Sequence, residues 1–156
     1  METTRHFTAT VFLVNDGATA LHDHDGLGIR VPPGGHIERD ELPHETALRE
    51  AREETGLDPT LVAEDAGVDA PGSRGLPEPR HLLLHDVNVH EDGRVGHQHI
   101  DHLYYARVDR RGIDPGPGER PAAAWDWYGP AELRDGSFAA DVVALGTEAI
   151  ATLSGE

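Results

Sequence analysis

The segment from Pro43 to Thr55 constrains the fold and chemistry of this chain more than any other stretch. It begins with proline, which suits the first position of a helix, and Glu45 complements the helix dipole in the first turn. Gly56 follows it and can end a helix in the left-handed conformation. We therefore predict a helix over these residues. Leu42 is a poor N-cap, so we expect the first turn to fray.

Three glutamates crowd one side of this predicted helix. At about 100° per residue, Glu50, Glu53 and Glu54 share one arc. The residues that point away from them, toward the expected core, are Ala47, Leu48, Ala51 and Thr55. Neighbouring carboxylates on a helix repel by about 0.7 kcal/mol in water and about 3 kcal/mol at an effective dielectric of ~20. A divalent cation would convert this repulsion into binding, and oxygen ligands indicate Mg²⁺ or Mn²⁺. Standing alone, the three acids would be more typical of a solvated face.

The stretch before the helix predicts a β-hairpin and a short third strand. His6 to Val14 is rich in β-branched and aromatic residues and ends at the turn signal Asn15-Asp16-Gly17. Residues 19–22 are expected to return as the partner strand. Residues 29–31 form a further short strand that Pro32-Pro33-Gly34-Gly35 should stop, giving a tight loop.

The rest of the chain alternates strands with turns and ends in a helix. We expect residues 80–90 and 98–108 to pair around a turn at 91–93, and residues 70–79 to form a loop rich in proline and glycine. Strands on both sides of one central helix predict a mixed α/β sandwich, and the length predicts one domain over residues 1–156. The remaining predicted elements are strands 61–66 and 125–128, a loop over 112–121, a helical turn over 130–134 and a helix over 138–153.

Composition narrows the possible partners. Twenty-nine acidic residues oppose 13 basic ones, all of them arginine, for a net charge of −16. Such a field disfavours nucleic-acid polymers and anionic membranes, so an anionic substrate would need a bridging cation. The chain has no cysteine, no apolar run near the ~20 residues that span a bilayer and no signal-peptide pattern, so we expect a cytoplasmic protein. The excess of acid is consistent with adaptation to high salt, although a GC-rich genome would also replace lysine by arginine.

The charged and glycine residues around the helix follow a fixed spacing: Gly35, Glu41, Arg49-Glu50, Glu53-Glu54 and Gly56. Over residues 35–57 this spacing resembles the signature of the Nudix hydrolase family. The preceding Pro33-Gly34 and residues 125–133 are also similar to family features. Ala51 departs from the pattern, since a larger aliphatic is commoner there, and should loosen packing without removing chemistry.

The resemblance implies a Nudix-type α/β/α sandwich with a mixed sheet and a strand-loop-helix-loop catalytic motif. Proteins of this family hydrolyse a nucleoside diphosphate linked to another moiety, with divalent cations held between glutamates and the diphosphate. By this resemblance Glu50, Glu53 and Glu54 bind the metal, Mg²⁺ or Mn²⁺. The carbonyl of Gly34 is a further expected ligand, because glycine lets the backbone approach an ion closely.

The same resemblance assigns supporting roles. Arg49 and Glu41 are expected to pair and so orient the carboxylates. The expected reaction is attack of a metal-polarised water on one phosphorus of a pyrophosphate. Glu50 is the first candidate for the base. Because the base can come from a later loop in this family, Glu91 and Glu119 are alternatives, although each is more simply explained as solvated.

Histidine is abundant, with eleven residues, and three of them lie close to a carboxylate in residues 97–102. On a strand, His97, His99 and Asp101 share one face, and His81 and His85 would join them if residues 80–90 pair alongside. This group fits a second metal site, a patch that contacts phosphate, or half-buried strand residues bonded to their neighbours. The last alternative is the commonest use of such residues.

Substrate choice depends on weaker signals. Gly35, His99 and Asp101 are the candidate substrate-binding residues. Trp125 and Trp127 share one strand face and would stack on a base or, more commonly, pack in the core. We expect a small nucleotide, first a nucleoside triphosphate, with ADP-ribose or a nucleotide sugar as alternative. A nucleotide-sensing module with the same fold but no turnover is the competing class, and a homodimer is compatible with the sequence.

Overall fold

The computed structural model describes residues 2–26 and 28–154. Within these residues the chain forms three helices, α1 (Pro43–Thr55), α2 (Pro130–Asp135) and α3 (Ala140–Ser154), and a 3-10 turn at Ala122–Ala124. The strands are β1 (Thr4–Asn15), β2 (Ala18–His24), β3 (Ile29–Val31), β4 (Gly34–His36), β5 (Thr60–Val62), β6 (Asp69–Ala70), β7 (Ser73–Arg74), β8 (His81–Val89), β9 (Val95–Arg107) and β10 (Trp125–Tyr128).

Eight of the strands form one mixed sheet. Its main order is β10-β2-β1-β9-β5, with β3 paired to β2, β4 to β1 and β8 to β9. The central strands β1 and β9 run parallel, from Thr4 opposite His97 to Val14 opposite Arg107. The hairpin expected from residues 80–90 and 98–108 is confirmed as the antiparallel pair β8 and β9. This register places alternate residues of β1 and β9 on the same face of the sheet.

Helices cover both faces, so the mixed α/β sandwich is confirmed. On one face, Phe12 and Tyr105 pack with Val142 and Ile150 of α3. On the other face, Ala47 and Ala51 of α1 pack with the side chains of the sheet that include Ala9, Val11, Leu13 and Tyr104. Two apolar layers on either side of one sheet result from the period-two alternation of its central strands.

The local signals at the N-terminal hairpin and at α1 are confirmed. Asp16 and Gly17 both have positive φ, 46° and 79°, as a two-residue primed turn requires. Helix α1 spans the predicted residues, and Gly56 ends it at φ 71°. The Leu42 side chain makes no capping hydrogen bond, but its backbone N–H donates to Glu45 Oε1 at 2.8 Å. The first turn is therefore closed by Glu45 from inside the helix.

Some boundaries were wrong. Residues 34–36, expected in a loop, form β4 and pair with Thr8 to Thr10 of β1. A side chain at Gly34 would lie 2.7 Å from the Ala9 carbonyl oxygen, so this close pairing requires glycine. The strand expected over 61–66 covers only Thr60–Val62, and the loop expected at 70–79 includes part of a small hairpin of β6 and β7. Among the described residues, no helix is long and apolar enough to cross a membrane.

Candidate active site

A bidentate ion pair sets the frame of the site. Arg49 donates from Nε to Glu41 Oε2 at 2.6 Å and from Nη2 to Glu41 Oε1 at 2.9 Å. Thr46 adds a hydroxyl bond to Glu41 Oε1 at 3.0 Å. The Arg49 hydrogen bonds lower the pKa of Glu41 to about 2 and raise the pKa of Arg49. The loop before α1 is therefore tied to the middle of the helix by a charged, directional contact.

The same guanidinium also serves two of the three clustered glutamates. Arg49 Nη1 lies 3.0 Å from Glu50 Oε1 and 3.1 Å from Glu53 Oε2. Glu54 is held differently, since its Oε2 accepts a hydrogen bond from the Gly34 backbone N–H at 2.9 Å. The structure thus brings together Glu50, Glu53 and Glu54 with Arg49 and the β4 backbone.

Two of these carboxyl groups point into the protein. The side chains of Glu50 and Glu54 are 18% and 13% exposed, against 47% for Glu53. Burial raises the pKa of Glu54 to about 8, with smaller contributions from the charges of Glu50, Glu119 and Glu53. Burial also raises the pKa of Glu50, although Arg49 opposes this. The cluster therefore holds more negative charge than its one arginine compensates.

Gly35 makes the approach of β4 to α1 possible. A Cβ built on Gly35 would overlap the carboxyl group of Glu50. Any other residue here would have to displace that carboxylate. The glycine therefore leaves the space on β4 that the Glu50 carboxylate occupies, which we call the cradle. The signature residues Gly35 and Glu50 are thus in direct contact across the site.

His22 adjoins the cluster and was not anticipated from the sequence. Its Nε2 lies 3.7 Å from Glu54 Oε1, and its ring stacks on Trp125 at 4.5 Å between centroids. Burial lowers the pKa of His22 to about 4. Near neutral pH the contact therefore joins a neutral imidazole to a protonated Glu54. The pairing of β10 with β2 places Trp125 opposite His22, a long-range register that no local sequence signal indicates.

A cleft of about 390 Å³ opens beside the acidic cluster. Its lining includes Gly34, Gly35 and Glu54 from the motif, and also His99 and Asp101 of β9. The three candidate substrate-binding residues therefore lie on one cleft with a member of the acidic cluster. The cleft is within the size range of small-molecule sites.

Asp101 is the most enclosed charge of this cleft, at 3% exposure. Its Oδ1 accepts hydroxyl hydrogen bonds from Thr8 and Thr10, both at 2.9 Å. His85 Nε2 lies 3.5 Å from Asp101 Oδ2, and the hydrogen bond to Asp101 raises the pKa of His85. A buried carboxylate is thus held in place by three neighbouring side chains, as buried charges require.

Among the other histidine candidates, His85 also lines this cleft. His97, His99 and Asp101 do share one face of β9, and their partners on β1 are Thr4, His6 and Thr8. His81 and His85 lie on β8, which pairs with β9. His81 Nε2, however, contacts Glu148 Oε1 at 2.7 Å and so has its own acidic partner outside this group.

The two tryptophans pack in the protein. Trp125 is 6% exposed beneath His22, in agreement with the core-packing interpretation. Trp127 packs at the edge of the α1-side core and donates its Nε1–H to the Arg111 carbonyl at 3.0 Å. The indole rings thus serve mainly to pack β10 against the rest of the protein.

The two alternative bases differ in position. Glu119 lies in the loop after β9, near enough that its charge contributes to the raised pKa values of Glu50 and Glu54. Glu91 lies in the exposed turn between β8 and β9. Of these two carboxylates, only Glu119 is coupled to the acidic cluster.

Comparisons with known proteins agree with this geometry. The NUDIX domain profile matches residues 4–145. Among solved structures, the chain is similar to a NUDIX family hydrolase from Clostridium perfringens, with 35% identity, coverage of 96% of this chain and 99% of that one, and a TM-score of 0.83. No curated protein matched the sequence.

More distant structures share the fold. A mutator MutT protein from Bacillus halodurans is 18% identical, with coverage of 93% of this chain and 82% of that one and a TM-score of 0.61. A NUDIX hydrolase from Nitrosomonas europaea is 16% identical, with coverage of 96% and 90% and a TM-score of 0.59.

Proposed function

Since the chain belongs to the NUDIX domain family, we propose that it is a Mg²⁺- or Mn²⁺-dependent pyrophosphohydrolase of a small nucleotide, with a nucleoside triphosphate as the first candidate substrate. Its family makes it a hydrolase of pyrophosphate bonds in nucleoside diphosphate derivatives, and NUDIX hydrolases generally use divalent metals. The identity of the substrate and the cation, the roles of individual residues and the organisation of residues 1–156 as one domain are part of this proposal.

The single observation that carries the proposal is the uncompensated charge of the cluster on α1. Glu50 and Glu54 are largely buried, and burial, together with the charges of Glu50, Glu119 and Glu53, raises the pKa of Glu54 to about 8. Carboxylate oxygens at this density are the ligands that Mg²⁺ and Mn²⁺ prefer. Glu50, Glu53 and Glu54 therefore fit a divalent cation, and Gly34 would bring its carbonyl to the same place.

Different groups of the chain hold the three proposed metal-binding carboxylates in position. Arg49 holds Glu50 and Glu53, and it is itself fixed by two hydrogen bonds to Glu41. The Gly34 N–H holds Glu54. When bound, the cation supplies Lewis-acid polarisation of water and neutralises charge on phosphoryl oxygens.

A carboxylate must also accept the proton of the attacking water. Glu50 is the first candidate because its pKa is raised and it lies at the centre of the cluster. Glu119 is the alternative because its charge acts on the same cluster from a loop.

The cleft supports a small-nucleotide substrate. It is continuous with Glu54 and Gly35 and reaches the buried carboxylate of Asp101 and the ring of His99. A carboxylate acceptor suits the amino and imino N–H groups of a nucleobase, whereas phosphates belong at the cation end. The size of the cleft, about 390 Å³, favours a mononucleotide over a polymer.

The test is a product screen with the full chain. Nucleoside triphosphates, ADP-ribose, nucleotide sugars and dinucleoside polyphosphates are incubated with Mg²⁺ or Mn²⁺, and the products are resolved by chromatography. We expect turnover of a nucleoside triphosphate, with loss of activity in the double variant Glu53→Gln, Glu54→Gln and retention in Glu91→Gln. Preferred turnover of ADP-ribose or a nucleotide sugar would replace the substrate class. Nucleotide binding without turnover under any metal and salt condition would replace the enzyme by a sensing module.

A further inference from the structure

Three strands bring the rings of His6, His36 and His99 together on the α3 side of the sheet. His6 of β1 is paired with His99 of β9, and His36 of β4 is paired with Thr8, two residues further along β1. This register points all three side chains to one face. The ring centroids are 5.2 Å apart for His6 and His36, 5.0 Å for His36 and His99, and 6.5 Å for His6 and His99. We call this group the histidine triad.

The nitrogen atoms of the histidine triad are close enough to share an ion. One ring nitrogen from each residue lies within 4.8 Å of the other two. In a tetrahedral site with metal–nitrogen bonds of about 2.0–2.1 Å, ligand nitrogens are roughly 3.4 Å apart. His6 and His36 are exposed and His99 is half-buried. Small side-chain rotations, without movement of the strands, therefore suffice to close the site.

The histidine triad differs from the other histidines of this sheet in its partners. His81 contacts Glu148, His85 contacts Asp101, and His102 bonds the Thr8 carbonyl at 3.0 Å. Within residues 2–26 and 28–154, no hydrogen bond or ion pair joins a triad ring to another protein group. The nearby His97 is bonded to Thr4 Oγ1 at 2.8 Å and packs edge-on against His6. The triad nitrogens are therefore free to accept a cation.

We infer that the histidine triad is a second metal site, specific for a Zn²⁺-class ion and separate from the carboxylate cluster on α1. Imidazole suits Zn²⁺, Ni²⁺, Co²⁺ and Cu²⁺, whereas hard Mg²⁺ takes oxygen ligands. The net charge of −16 favours cation binding of either kind.

The position of this site relates it to the cleft. His36 and His99 line the same cleft as Glu54, and His36 follows Gly34 by two residues on β4. An ion held by three histidines keeps an open coordination position, as in His₃ zinc enzymes. An ion held there would lie at the edge of the cleft, where its open position would take a ligand atom from a bound molecule.

The experiment measures Zn²⁺ and Co²⁺ binding to the untagged full chain in excess Mg²⁺, which occupies carboxylate sites but competes poorly for imidazole. Calorimetry gives stoichiometry and affinity, and the visible absorption of Co²⁺ reports nitrogen ligands in tetrahedral geometry. The variants are His6→Asn and His99→Asn, each removing one ligand. The matched control is His102→Asn, which alters the opposite face of β9.

We expect one Zn²⁺ per chain in the wild type and in His102→Asn. His6→Asn and His99→Asn should each lower the Zn²⁺ affinity roughly a hundredfold or more, since mutation of even an outer-shell partner lowers metal affinity 10–100-fold. The double variant Glu53→Gln, Glu54→Gln should retain Zn²⁺ binding even where it loses nucleotide turnover, which separates this site from the proposed catalytic one. Equal Zn²⁺ affinity in the wild type and His6→Asn would overturn the inference, and so would loss of Zn²⁺ binding in the glutamate double variant. Circular dichroism verifies the fold of each variant.

Discussion

Glu54→Gln is expected to stabilise the metal-free protein at pH 8, although it removes a proposed metal ligand. The folded-state pKa of Glu54 is raised from 4.5 to about 8 by burial and like charges. Above pH 4.5 the unfolded chain therefore ionises Glu54 while the folded chain keeps it protonated. Stability is lost as the pH rises from about 4.5 to 8, and a glutamine at this position is free of that loss. Its side-chain oxygen can still accept the Gly34 N–H.

The magnitude follows from the size of the shift. At 1.36 kcal/mol for each pKa unit, the shift sets a ceiling of about 5 kcal/mol. Relaxation around a side chain that is still 13% exposed reduces this, and we expect about 2 kcal/mol. For a chain of this length, that corresponds to a rise of roughly 4–8 °C in melting temperature.

The assay is thermal unfolding of the wild type and variant in a chelator at pH 5 and pH 8, and again at pH 8 with Mg²⁺. The stabilisation by Glu54→Gln should be near zero at pH 5 and largest at pH 8 without metal, and added Mg²⁺ should stabilise the wild type more than the variant. Glu53→Gln is the matched control: it is more exposed, and it should be neutral or slightly destabilising because it loses an ion pair to Arg49. Equal melting temperatures of wild type and Glu54→Gln at pH 8 in chelator would refute the reasoning.

Three further predictions concern the frame of the site. Gly35→Ala should lower Mg²⁺ affinity roughly 10-fold or more, measured by calorimetry, because its Cβ displaces the Glu50 carboxylate; unchanged affinity would show that the cradle has no role. Arg49→Lys should lower the free energy of unfolding, measured in urea, by about 1–3 kcal/mol, since lysine cannot replace the bidentate hydrogen bonds to Glu41; a variant as stable as wild type would contradict this. If Glu119 rather than Glu50 accepts the proton of the attacking water, Glu119→Gln should lower kcat at least about 10-fold while Glu91→Gln leaves it unchanged; equal rates would exclude Glu119 as the base.

Local signals were sufficient to predict the elements whose starts and ends are marked by proline, glycine or a turn sequence. Proline at the start and glycine after the end fixed both bounds of α1, because each residue has a backbone geometry that suits its place. The Asp16-Gly17 turn and the alternation of β1 likewise predicted the first hairpin. In these elements the decisive interactions lie within a few residues in sequence.

Pairing between distant segments was the part that could not be predicted. Residues 34–36 contain two glycines and follow two prolines, so they are typical of a loop. They become β4 only because β1 offers a partner. The parallel register of β1 on β9 joins residues more than 90 positions apart, and it alone places His6 beside His99. Periodicity predicts which residues share a face of one strand, but not which strand lies next to it.

The burial of the acidic cluster also could not be predicted from the sequence. Helical geometry placed Glu50 and Glu54 on one arc, opposite the apolar residues, and so favoured an exposed carboxylate face. In the structure β4 packs against this arc and leaves the side chains of Glu50 and Glu54 mostly enclosed. The spacing of the acids thus predicted their proximity, whereas their raised pKa values depend on what packs over them.

Anomalous diffraction from crystals soaked in Mn²⁺ tests the central claim most directly. If the carboxylates of α1 bind the cation, a Mn²⁺ peak should appear within about 2.3 Å of oxygen atoms from Glu50, Glu53 or Glu54. The peak should be absent in the Glu53→Gln, Glu54→Gln double variant. A fully soaked wild-type crystal without Mn²⁺ at these oxygens would contradict the account.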